Sequence, residues 1–143
     1  MPRLFSPLIL LTLVLGTSVP AAALSPGDAG CRKALAGSAL KLASAVLKEQ
    51  ARCHKLRMGN LDPVNYPATI DCNDVQGLSA KAQAKIAKAA AKLGTAAEKK
   101  CQGVASAPSV LGYLSCASPC ESVPITSNYA SVAACLSCQT QAL

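Results

Sequence analysis

Tryptophan is absent from this chain, and histidine and phenylalanine occur once each beside three tyrosines. Proteins that hold single-stranded nucleic acid stack bases on aromatic side chains, so nucleic acid is not the partner expected here. Acidic residues are also scarce, with seven Asp and Glu in 143 residues. Triads and paired-carboxylate sites therefore have few candidates, and no glycine-rich phosphate loop occurs. The expectation is a protein that is not an enzyme, with no cofactor and no catalytic residue.

Two further absences concern placement. Proline is missing from Gly27 to Asp62 and again from Ala68 to Ala107, which permits two long helices. No Lys or Arg follows Cys101, so a basic front half joins an almost uncharged rear half. A second long apolar run is also missing after the first 15 residues, and no transmembrane segment is expected beyond the leader.

That leader reads as a secretory signal over residues 1–23. Arg3 supplies the positive end, Leu4 to Leu15 the apolar stretch, and Ala21 and Ala23 the small residues of a cleavage site. Residues 24–143 then form one domain, secreted or periplasmic. A lipoprotein signal ending at Cys31 is the competing reading, but Asp28 stands where a lipobox needs an aliphatic residue. Without Arg3, thirteen basic side chains remain against seven acidic ones, a net charge of +6.

Both proline-free stretches are rich in Ala, Leu, Lys and Gln, which favour helix. The first helix is expected to begin near Asp28 as N-cap and to stop before Gly59. At 100° per residue, Leu35, Leu42, Val46 and Cys53 share one face, widened by Ala36, Ala39, Leu40, Ala43 and Leu47 to suit two neighbours. Lys33, Lys41, Lys48, Arg52 and Lys55 fall on the other side. The second helix should run from Ser79 as N-cap to about Gln102, with Ala82, Ile86, Ala89, Ala90, Leu93 and Ala97 inward. Pro108 to Leu114 could form a short helix, Ser118-Pro119-Cys120-Glu121 resembles a capping box, and Ser127 to Thr140 suits a third helix. The fold class expected is all-α: an antiparallel helical hairpin plus shorter C-terminal helices, stapled by disulfides.

All eight cysteines follow the leader, an even number that points to disulfides in an oxidising compartment. Cys31 and Cys53 are 22 residues apart, about 33 Å along a helix. Two antiparallel helices of similar length would set Cys31 beside Cys101, and Cys53 beside Cys72 in the returning loop. If the last four cysteines lie on two short antiparallel helical segments, outer pairs with outer and inner with inner. That gives Cys116–Cys138 and Cys120–Cys135. The same four could hold a zinc ion, a reading opposed by export and by the lack of a nearby histidine.

Other chemistry is thin. His54 beside Cys53 could activate a thiolate, but a surface imidazole beside a bridged cysteine is the simpler account. Cys135-Leu136-Ser137-Cys138 is followed by Gln139 rather than histidine, so haem attachment is excluded, and no βαβ context supports a redox pair.

One surface feature stands out. Lys81, Lys85, Lys88, Lys92 and Lys99 fall within about 60° on the second helix, and Glu98 is the only acid there. Such a stripe suits an anionic surface or polymer: acidic polysaccharide or lipid headgroups before nucleic acid. An ordinary solvated face is the competing account. On either account Lys85 and Lys92 should point into solvent. The function expected is a small exported, disulfide-stabilised binding or structural module. The alternatives are an anion-binding or membrane-active basic protein and a carrier of small apolar ligands.

With these residues laid out, the chain resembles a loose group of exported, alanine- and lysine-rich, cysteine-rich helical bacterial proteins. The likeness lies in Cys31-Arg32-Lys33-Ala34 through Leu47-Lys48 to Cys53, in Ile86-Ala87-Lys88 through Leu93 to Lys99-Lys100-Cys101, and in Cys135-Leu136-Ser137-Cys138. It covers most of the chain after the leader and implies no activity. The adjacent Cys-Cys and Cys-x-Cys of plant lipid-transfer proteins do not occur, and saposins carry six cysteines at other spacings.

Overall fold

The computed structural model describes residues 24–142; the expected signal peptide lies outside them. Three α-helices and no strand occur among the described residues, so the chain is all-α.

Helix α1, Pro26–Met58, starts earlier than expected. Ser25 is the N-cap, its hydroxyl accepting the Asp28 N–H at 3.1 Å, and Pro26 follows at the first helical position. Proline loses nothing there, because the first-turn N–H groups have no helical acceptor. Asp28 therefore sits inside the first turn, buried, rather than capping it. At the other end Asn60, at φ 48°, takes the left-handed position. Its N–H reaches the Arg57 carbonyl and that of Leu61 reaches Leu56, closing a Schellman motif around Gly59.

Helix α2, Ala80–Lys100, is capped by Ser79, whose hydroxyl also hydrogen-bonds the Tyr66 hydroxyl at 3.0 Å. Lys99 and Lys100 fill its last turn, where a cation suits the helix dipole. Helix α3, Tyr129–Gln141, is capped by Asn128, whose Oδ1 accepts the Ser131 N–H at 3.0 Å. The two other short helices expected do not form. Pro108 to Leu114 is a run of turns closed by N–H groups of Leu111 and Tyr113 on the Pro108 carbonyl, and Ser118 to Glu121 is a turn.

Each helix packs against the other two. The core holds Leu35, Leu42 and Val46 of α1, Ile86 and Leu93 of α2, and Tyr129 and Val132 of α3. Tyr66, Val75 and Leu78 close it from the loop between α1 and α2. Alanine-rich helices allow close approach but supply little area, so leucine and isoleucine at about 1.5–3 kcal/mol each carry most of the apolar stabilisation. α1 has the two helical neighbours that its wide apolar face suits, but the buried face is narrower than the sequence suggests: Leu40 and Leu47 are covered by neither and stay exposed.

Four disulfides join all eight cysteines. Cys31, in the second turn of α1, meets Cys101 just past α2, and Cys53 near the end of α1 meets Cys72 in the loop before α2. The C-terminal pairs differ from expectation. Cys116 joins Cys135 and Cys120 joins Cys138, not Cys116–Cys138 and Cys120–Cys135. The nested pairing assumed two antiparallel helical segments, whereas residues 116–120 are not helical and follow α3 in the same direction. The near-equal separations of 19 and 18 residues record that parallel register. Cys116, Cys120 and Cys135 form a small second core with Val123 and Ile125 packed against it.

Candidate anion-binding groove

Small residues fall in register on facing sides of the two long helices. Gly30, Ala34, Gly37 and Ser38 of α1 look across at Ala89, Thr95 and Ala96 of α2. Side chains this short cannot fill the space between the helix surfaces, so a groove is left there. It consists of two adjoining hollows, of about 300 Å³ and about 630 Å³, which share Ser38, Lys41 and Lys92.

Lysines wall it from both sides. Lys33 and Lys41 come from α1, and Lys85, Lys88, Lys92, Lys99 and Lys100 from α2; no carboxylate lines it. Lys85 differs from the rest. Its Nζ donates to Glu49 Oε1 at 2.6 Å, the one ion pair among the described residues. Glu49 keeps only 5% of its side chain exposed against 44% for Lys85. Lys85 is thus a tether between α1 and α2, not a free solvent-facing cation. The other six are exposed and have no acidic partner among the described residues. Each like-charged i,i+3 or i,i+4 pair costs a few tenths of a kcal/mol in water, and an anion in the groove would turn that repulsion into attraction.

The five-lysine stripe expected on α2 is therefore divided. Lys88, Lys92 and Lys99 reach the groove free of carboxylates, Lys85 reaches it paired, and Lys81 lines a different hollow with Arg52, Asp62, Asn65 and Tyr66. Sequence periodicity missed Lys33 and Lys41, which it assigns to the solvent side of α1 without a partner, and Lys100. The signal for them lies in the small residues at 30, 34, 37 and 38, which mark the side of α1 that faces α2 across the groove.

The other polar groups do structural work. His54 Nε2 hydrogen-bonds Asn73 Oδ1 at 3.1 Å, and its neighbour Cys53 is bridged and offers no thiolate. Gln50 donates to the Asn73 carbonyl, Arg57 to that of Ile70 and Arg32 to that of Leu111. Asp28 accepts the Ser106 N–H at 2.7 Å and the Ser25 hydroxyl at 2.7 Å. The Ser106 N–H, and after it the Ser25 hydroxyl, hold the Asp28 carboxyl below its ordinary pKa. The Tyr129 hydroxyl donates to the Ser106 carbonyl. Burial first, then the nearby Asp28 charge, pushes its pKa up. The loop after α2 is thereby fastened to the starts of both α1 and α3.

Comparison of the chain with protein-family models, with curated proteins and with solved structures finds no match.

Proposed function

We propose that this chain is an exported binding module that holds an anionic partner in the lysine groove. In this reading α1 and α2 form an antiparallel hairpin clamped near both ends by Cys31–Cys101 and Cys53–Cys72, with α3 bracing one side. The single observation that carries it is charge placement. Six lysines from two helices converge on one groove that no carboxylate lines, although Glu49 shows that this interface can accommodate an acid. Export is supported by the leader sequence and by four disulfides, which persist in oxidising compartments. Lysine is a flexible point charge without the planar fork of arginine, so the groove suits anions recognised by charge density more than by shape.

The test is the Lys88→Glu/Lys92→Glu double variant, measured against a soluble polyanion such as inorganic polyphosphate. Both side chains are exposed and neither is ion-paired, so the fold should survive, with unchanged helical circular dichroism. Binding by the unmodified protein and its loss in the variant are expected. Equal binding by both proteins removes the groove from the account.

A further inference from the structure

Beside the groove, α1 carries a line of large apolar side chains in water. Leu40 is 71% exposed, Leu47 55% and Met58 82%. At 100° per residue these three fall within about 20° of one another, over about 27 Å of helix. Ala36 and Ala51 lie on the same strip and are also exposed, and beyond the helix end Leu61 and Val64 are exposed as well. Such residues scattered singly need no explanation, but an ordered line marks a surface of interaction. Lys41 and Lys48 directly follow Leu40 and Leu47, and Lys55 joins them within about 40° along the flank of the strip. Lys41 belongs to this flank and to the groove at once.

From this juxtaposition we infer that the anionic partner is the surface of a phospholipid bilayer, with α1 lying flat on it. The inference rests on the anion-binding reading above and names its ligand. An interfacial helix sinks its apolar face to the boundary of headgroups and acyl chains, while flanking lysines bend back to the phosphates. Leu40, Leu47 and Met58 supply that face, Lys41, Lys48 and Lys55 the flank, and the groove lysines further headgroup contacts. A soluble polymer would use the groove and leave the apolar line in water. A second copy of the chain is disfavoured, because pairing two such faces would bring the three-lysine flanks together. Among the described residues no helix is long and apolar enough to cross a membrane, so the contact proposed is with one leaflet.

The experiment uses the oxidised protein with two probes: vesicles of phosphatidylglycerol and phosphatidylcholine in equal parts, and inorganic polyphosphate. Binding to these vesicles, and not to pure phosphatidylcholine, is expected. Leu40→Gln/Leu47→Gln should weaken vesicle binding at least about tenfold and change polyphosphate binding by less than about twofold, since the apolar line meets only the bilayer. The chain has no tryptophan, so Leu47→Trp is a clean reporter whose emission should shift to the blue on anionic vesicles. Polyphosphate binding without vesicle binding, undiminished vesicle binding by the double Gln variant, or an unshifted tryptophan overturns the bilayer inference and leaves the anion groove standing. Failure to bind either probe removes both.

Discussion

The Asp28 carboxylate accepts the backbone N–H of Ser106 at 2.7 Å although 78 positions separate them. This bond holds the first turn of α1 to the loop after α2, next to the Cys31–Cys101 bridge. Because it stabilises the charged carboxylate, the folded pKa of Asp28 lies below its ordinary 3.8. A carboxyl lowered on folding adds stability that is present above its unfolded pKa and is lost as pH falls through the folded value. Asp28→Asn should therefore melt below the unmodified protein at neutral pH, and the gap should narrow as pH falls below 3.8. A gap independent of pH would assign the loss to geometry rather than charge.

Two glycines of similar appearance should respond in opposite ways. A Cβ on Gly27 would run into the backbone carbonyl of Val104, whereas one on Gly94 has open space and an ordinary helical backbone. Gly27→Ala is expected to cost about 1–3 kcal/mol through overpacking against rigid backbone. Gly94→Ala should stabilise by up to about 1 kcal/mol through helix propensity. Chemical denaturation of the two variants measures both signs.

Peptide mapping of the unreduced protein should recover Cys116 linked to Cys135 and Cys120 linked to Cys138. The bridges should differ in weight. Cys31–Cys101 closes 70 residues and Cys53–Cys72 closes 19, so chain entropy gives about 4 against about 3 kcal/mol. Paired serine substitutions, one bridge at a time, should lower the melting temperature in that order.

Lys85 and Lys88 sit one turn apart on α2 and should separate structure from binding. Lys85→Gln leaves the nearly buried Glu49 without its ammonium. Because Lys85 is itself partly solvated, the expected cost is modest, about 1 kcal/mol. Lys88→Gln should leave stability within about 0.5 kcal/mol, as surface substitutions do, and weaken polyanion binding more than Lys85→Gln does. Thermal melts and a binding isotherm on the same two proteins decide it.

The helices were legible because their signals are local. The Ser79 cap acts within one turn of chain, and each proline-free stretch, like the helix-compatible run from Ser127 to Thr140, belongs to a single helix. The N-cap of α1 lies three residues before Asp28 because Ser25-Pro26 and Asp28 are both good starting signals; the structure gives the cap to serine and a long-range bond to aspartate. Leu40 and Leu47 look like core in sequence because helical periodicity cannot say how much of a wide apolar face two neighbours cover. The C-terminal pairing failed for a related reason: it assumed helix at residues 116–120, where the chain turns. The groove was half legible. Lysine periodicity on α2 is a property of one helix, but Lys33 and Lys41 join it only through the rotation of α1 about its own axis, which packing sets. The Lys85–Glu49 pair, 36 residues apart, left no local trace.

The central claim, that the six unpaired lysines of the groove hold an anion, is tested most directly by the salt dependence of polyphosphate binding to the unmodified protein. Lysine–anion contacts release or screen counterions. At about −0.7 per lysine–phosphate contact, six contacts give a slope of about −4 on a double-logarithmic plot, so affinity should fall by about ten-thousandfold between about 50 and about 500 mM salt. Lys88→Glu/Lys92→Glu should bind weakly throughout. Binding that is flat with salt, or no binding even at the lowest salt, would contradict the claim.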